Sequence, residues 1–188
     1  MSIEPSPEGP TFAVRDTLEP VTVSPADPRE VPHVITPLSE AEIATALDLG
    51  HAAAFGMNAR SACKSIAWAM ICLETGRGKA LHNYNFGNVD ASPDWHGPIF
   101  YLTADEGHGA GTHRVRKALR SYERPFAGAI GWWQFMAAHY PGALVAFDSG
   151  DGNATVRALT GYFTGDKASY AAALVSLATE YRRKGGRL

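Results

Sequence analysis

From Ser39 onward the apolar residues fall at helical spacing, and before it they do not. Ser39-Glu40-Ala41-Glu42 has the form of a capping box, with Ser39 as N-cap and Glu42 reaching back to it. Ile43, Leu47 and Leu49, set among alanines, then predict a helix to about Gly56. Asn58 is a candidate cap for a second helix, whose apolar residues are Ala62, Ile66, Ala69, Met70 and Leu73. That helix must end near Gly76, because Thr75-Gly76-Arg77-Gly78 puts two glycines just past the last periodic position. The period then disappears. Residues 77–120 are dominated by Gly, Asn, Pro, His and Asp, with a strand-like patch at 99–103 and a possible return strand at 112–115. The glycine-rich 106–111 between them reads as a turn. Helical spacing returns from Pro125 to about His139, carrying Ile130, Trp133, Phe135 and Met136. Two more helices are predicted at 153–163 and 166–181, broken at Thr164-Gly165. The expected architecture is mainly α, a helical lobe with one small glycine-rich β-hairpin lobe, and no internal repeat.

The first 37 residues stand apart, since they hold eight of the twelve prolines. Proline fixes φ and removes a donor, so this arm is expected to be extended or disordered. Short β-like pieces at 11–14 and 20–23 could pair with a neighbour. The expected division is an arm at 1–37, a folded domain at 38–183 and a short basic tail at 184–188.

Composition narrows the chemistry. At 188 residues and 45% hydrophobic, the chain can bury one ordinary core. A formal net charge of −2 leaves no electrostatic footprint for nucleic acid. No stretch approaches the roughly 20 apolar residues of a membrane span. Cys63 and Cys72 are nine residues apart on one predicted helix, about 13 Å of rise, too far to pair as a disulfide. Both read as buried small hydrophobes. His82, His96, His108 and His113 share one region, but no pair has the helical spacing of a zinc site, so neither metal nor cofactor is expected.

Glu74 is the residue whose position suggests a reaction. It closes an apolar helix just before a polar loop, so its carboxyl is half buried by the helix's own neighbours. Desolvation raises a carboxyl pKa, and the helix C-terminus disfavours negative charge, as a general acid working near neutrality requires. From position alone, a surface glutamate in a last helical turn is the competing reading.

The surrounding residues weigh on that choice. Leu73-Glu74-Thr75-Gly76-Arg77-Gly78-Lys79, then Asn83-Tyr84-Asn85-Phe86-Gly87-Asn88-Val89, resembles the signature of the lysozyme-like superfamily, and most closely the flagellar-type glucosaminidases of glycoside hydrolase family 73. Leu119-Arg120-Ser121-Tyr122 is similar to that family's Phe-Arg-x-Tyr segment. Gly161-Tyr162-Phe163-Thr164-Gly165-Asp166, with Ser169-Tyr170-Ala171 after it, looks like its Gly-Tyr-Ala-Thr-Asp-Pro-x-Tyr-Ala stretch. The likeness runs from about Ala59 to Tyr181. It implies a lysozyme-like fold with an active-site groove between the lobes, and a peptidoglycan hydrolase acting on β-1,4 glycan strands.

The resemblance also implies roles. Glu74 becomes the general acid, and Tyr162 the tyrosine beside the cleavage site. Asn83, Asn85, Phe86, Gly87 and Asn88 become the cleft wall, against the plainer reading of a turn that needs Gly and Asn for positive φ. Tyr122 and Trp132 are further candidates for substrate contact. Trp132 and Trp133 point about 100° apart on a helix, so one is expected in the core and the other free to line the groove. The second carboxylate would come from the β lobe, where Thr103-Ala104-Asp105-Glu106 offers Glu106 first and Asp105 second, ahead of Asp90 and Asp94. The rivals are a lytic transglycosylase and a non-catalytic wall-binding module of a phage tail or injection particle, to which the arm could dock. With no basic, apolar leader in the first twenty residues, the expected route is synthesis in the cytoplasm and release by a holin or delivery by a particle.

Overall fold

The first helix begins where its capping chemistry allows. In the computed structural model, which describes residues 27–106, 113–162 and 166–186 (backbone alone at 104–106 and 113–114), α1 spans Glu40–Phe55. Ser39 Oγ accepts from the Glu42 amide at 3.2 Å, and Glu42 Oε2 accepts from the Ser39 amide at 2.8 Å. Gly56, at φ 71°, ends the helix in the left-handed conformation. One face buries Ile43, Ala46, Leu47 and Gly50. Gly50 lets α1 lie close to α3 (Pro125–His139), since a Cβ there would stand 2.8 Å from that of Ala129.

The second helix, α2 (Ser61–Glu74), buries every residue from Ser65 to Cys72. A helix apolar all round must be central, and α2 is enclosed by α1, α4 (Pro141–Ser149) and α6 (Lys167–Arg183). Trp68 of α2, Trp132 and Trp133 of α3 and Phe147 of α4 are among the largest fully buried side chains of this core. Cys63 and Cys72 are free and buried in this core, which pushes both thiols up to about 12.

Several expectations need correction. Asn58 does not cap α2: the helix starts three residues later behind Arg60, which makes no side-chain cap. The sequence pattern missed α4 altogether, because Pro141 reads as a stop when it is in fact the first helical residue. The helix expected at 153–163 is only α5 (Gly152–Ala158), capped by Asp151 and closed at the buried Leu159. Asp166 caps α6 through the Ser169 amide at 2.8 Å. The predicted break at Thr164-Gly165 lies outside the described residues.

The hairpin is longer than its pattern suggested. Strand β1 (Ile99–Glu106) pairs antiparallel with β2 (His113–Arg120), Ile99 opposite Arg120 and Glu106 opposite His113. Among its described side chains the buried ones are Ile99, Phe100 and Leu119, all at the base. That base is tied on both edges. On one side the extended segment 27–37 runs along it, with Val31 donating to the Ile99 carbonyl at 2.8 Å and Ile99 donating to that of Arg29 at 2.9 Å. On the other, Ala91 donates to Ala118 and Arg120 to Val89. The same segment continues as a strap, bonding Thr36 to Leu81 and Leu38 to Gly78. The predicted pieces at 11–14 and 20–23, and the turn residues 107–111 with His108, lie outside the described residues. No helix is long and apolar enough to cross a membrane among the residues described.

Candidate active site

Glu74 is the last residue of α2, and the turn after it is tightly stitched. Thr75 Oγ1 donates to the Ile71 carbonyl and accepts from the Gly78 amide at 2.9 Å. Gly78, at φ 83°, has no room for a side chain, since a Cβ would meet the Leu38 carbonyl at 2.2 Å. Between them Arg77 ties the turn to both neighbouring helices, bonding Glu40 of α1 and Glu180 of α6. Arg77, joined by Lys184, holds the Glu180 carboxyl down at about 2.

The Glu74 carboxyl is half buried, and burial raises its pKa above the ordinary carboxylate value. Tyr170, in the first turn of α6, opposes that by donating its phenol to Oε1 at 3.1 Å. Burial is the larger effect. Since Oε1 is the accepting oxygen, the neutral acid carries its proton on Oε2. Tyr170 was quoted in the sequence only as part of a motif; its place in the first turn after the capping residue Asp166 is what brings it to Glu74.

Next comes the loop 83–89, and here the sequence reading divides. Asn83, Tyr84, Gly87 and Asn88 all have positive φ, so the turn reading of this segment is correct. Three of the five residues expected as cleft wall are scaffold instead. Asn83 is buried, its Oδ1 accepting from Val34 and its Nδ2 donating to Pro32 and Ser121, which fastens the strap. Asn85 spends both side-chain groups on the Val89 backbone at 2.9 Å. Phe86 is fully buried in the core. Only Gly87 and Asn88 reach the cleft.

That cleft holds about 360 Å³ between the hairpin base and the end of α3. Gly87, Asn88 and Tyr162 form its floor, with Lys117 and Arg120 on the hairpin side and Phe135 opposite. A Cβ at Gly87 would stand 2.6 Å from the Tyr162 hydroxyl and 2.7 Å from Trp132 Nε1, so glycine is needed for these rings to back the floor. Burial, then the nearby Glu74 charge, drive the Tyr162 phenol upward and keep it neutral. Asn88 Nδ2 donates to the Glu74 carbonyl at 3.3 Å, while its Oδ1 is buried without a partner. Glu74, Asn88 and Tyr162 are thus gathered at one point.

Other expected contacts are not. Trp132 and Trp133 are both buried, so neither offers a ring face to a sugar; the short side chains around them let α3 turn both inward. Trp132 donates toward the Tyr162 hydroxyl at 3.5 Å instead. Tyr122 packs under Gly131 with its hydroxyl buried and unpartnered. The backbone of Asp105 and Glu106 sits at the far end of β1, six and seven residues from its base, about 20 Å along an extended strand. Their side chains lie outside the described residues. Asp90 is at the cleft edge, 3.8 Å from Lys117. Among the described residues no group of three or more His, Cys, Asp or Glu is placed to hold a metal ion.

Comparison with solved structures decides the fold. A peptidoglycan hydrolase mutant from Sphingomonas sp. A1 superposes with a TM-score of 0.61 at 21% identity, over 80% of this chain and 100% of that one. The glycoside hydrolase domain of FlgJ from Salmonella typhimurium gives 0.54 at 18% identity, over 80% and 92%. The catalytic domain of the autolysin Auto from Listeria monocytogenes gives 0.53 at 18%, over 79% and 88%. The chain has a lysozyme-like fold. No family model and no curated relative matches the sequence. The cleft described above lies between the helical lobe and the hairpin.

Proposed function

We propose that this protein is a peptidoglycan hydrolase that cuts the β-1,4 glycan between N-acetylglucosamine and N-acetylmuramic acid, with Glu74 as general acid. The observation that carries this is the Glu74 carboxyl, half buried at a helix C-terminus, raised in pKa and oriented by Tyr170, in a residue whose backbone bonds Asn88 and whose charge acts on Tyr162, both of which line the cleft. A carboxyl so placed can stay protonated toward neutrality and give its Oε2 proton to a leaving glycosidic oxygen. As the bond breaks, an oxocarbenium-like centre develops at the anomeric carbon. The neutral Tyr162 hydroxyl stands beside it as a dipole. The unpaired Asn88 Oδ1 is an acceptor that an acetamido N–H would satisfy. Water would be activated on the other face by a hairpin carboxylate, Glu106 first and Asp105 second. The similarity in fold to peptidoglycan hydrolases supports the substrate class.

Digestion of purified peptidoglycan by the wild type and by Glu74→Gln, with mass spectrometry of the fragments, tests this. Gln keeps the shape and cannot supply the proton. Reducing ends in N-acetylglucosamine indicate a glucosaminidase, reducing ends in N-acetylmuramic acid a muramidase, and anhydro ends a transglycosylase. If the wild type releases nothing from several wall types, the catalytic reading fails and a wall-binding module replaces it.

A further inference from the structure

The walls of the groove differ in charge from the chain as a whole. The sequence is nearly neutral, yet Lys117 and Arg120 on the hairpin side and His139 across from them line the cleft with one carboxylate among the described residues, that of Asp90. A neutral glycan offers hydrogen-bond acceptors but no charge for such a cluster to pair with. Peptidoglycan does: its stem peptides carry free carboxylates, and a strand stripped of them keeps a lactyl carboxylate on each muramic acid.

Arg120 is the best-held member. Its Nε donates to the Asp90 carbonyl at 3.2 Å, which fixes the guanidinium at the hairpin base. Its Cζ lies over the Trp95 ring at 4.8 Å and over the Phe135 ring at 5.5 Å, so it is gripped from the β lobe and from α3 at once. A guanidinium held against ring faces recognises through its in-plane edge, the geometry that suits a carboxylate. Lys117 lies three residues along the same strand, and its ammonium is 3.8 Å from Asp90. His139 packs beside Phe135 at 4.7 Å between ring centres and adds a polar edge on the opposite wall.

We propose that Arg120, with Lys117 and His139, forms a carboxylate-binding shelf in the groove, which selects glycan strands that carry acidic substituents over uncharged N-acetylglucosamine polymers. This rests on the reading of the cleft as a peptidoglycan groove, and it concerns recognition, not the acid.

Binding separates the two. Glu74→Gln protein, which cannot turn over substrate, is titrated by calorimetry with three ligands: glycan fragments bearing stem peptides, the same fragments freed of peptide by an amidase, and chitooligosaccharide of equal length. Adding Arg120→Gln should weaken binding of the peptide-bearing fragments about tenfold and leave chitooligosaccharide within twofold. Lys117→Gln should weaken it about threefold and guards against a folding defect in the arginine variant. Raising salt from 50 to 500 mM should reproduce the trend in unmutated Glu74→Gln protein. If the tenfold loss persists on amidase-treated fragments, the shelf also accepts the lactyl carboxylate that the amidase frees; if it vanishes, the carboxylate bound is that of the stem peptide. Equal weakening on all three ligands, or no weakening on the peptide-bearing one, overturns the shelf. Carboxylate-dependent binding by a wild type that cleaves nothing would sink the hydrolase reading and leave the shelf standing.

Discussion

The floor of the groove and the hairpin above it are built in opposite ways. The floor is over-determined: Thr75, Arg77, Asn85 and Asn88 each use a side chain to fix the backbone around Glu74, and α2 beneath it is buried on all sides. The hairpin is a two-stranded ribbon, and among the described residues its burial and its ties to the rest of the fold lie at the base. Two strands with no covered face are marginal on their own, so the ribbon depends on the strap and on residues 89–91. The division suits a glycosidase. An acid must be held within a fraction of an ångström, while a groove that admits a polymer needs one wall that can adjust.

The largest effect expected on the floor is chemical. Glu74→Gln should lower kcat by about a thousandfold with little change in substrate binding. The same variant should be more stable than the wild type at pH 7 and equal to it at pH 4. The sign follows from the raised pKa: a buried carboxyl that resists ionisation loses stability as pH rises above its unfolded value, and Gln carries no such penalty. A Tm on the order of 2 °C higher at pH 7 is the expected reading. Activity of Glu74→Gln near that of the wild type would remove the floor's claim to be the acid site.

For the hairpin, the expectation is a smaller loss that depends on reach. Glu106→Gln should cost about a hundredfold in kcat and Asp105→Asn less than tenfold, both with unchanged Tm. If both are silent, the hairpin supplies shape alone and the substrate's own acetamido group is left to act as nucleophile.

Asn83→Ala tests the anchor between the two regions. It strips partners from the Val34 amide, the Pro32 carbonyl and the Ser121 hydroxyl at once, so unfolding free energy should fall by about 2 kcal/mol. Amide exchange should rise first along 27–37 and at the hairpin base, and more slowly in α2. Uniform exchange throughout would mean that strap and core unfold as one unit.

How much of this could be read in the residues follows the same division. The capping box at Ser39, the end of α2 at Glu74 and the whole of α3 were legible because local chemistry and apolar period agree there. The hairpin's length was not, since β2 alternates poorly and buries little; register comes from its tied base, which is a tertiary fact. Helix α4 was hidden behind Pro141. In the site, Glu74, Gly87, Asn88 and Tyr162 lie close together, but a motif does not say which polar residue serves a ligand and which serves the fold. Asn83 and Asn85 show that difference, and only their hydrogen bonds reveal it.

Tyr170→Phe is the smallest change and the most discriminating. The phenol donates to Glu74 Oε1, and a donor favours the ionised form, so the wild-type pKa is a compromise between burial, which raises it, and Tyr170, which lowers it. Removing the hydroxyl removes only the opposing part, and the Glu74 pKa must rise further. A general acid works while protonated, so the alkaline limb of kcat against pH should move to higher pH, by less than one unit. The optimum rate should fall severalfold, because nothing then selects Oε2 as the proton-bearing oxygen. A fall in rate with the limb unmoved would make Tyr170 a packing residue. A limb shifted downward would mean that the hydroxyl accepts from the protonated acid, and the proton would belong on Oε1.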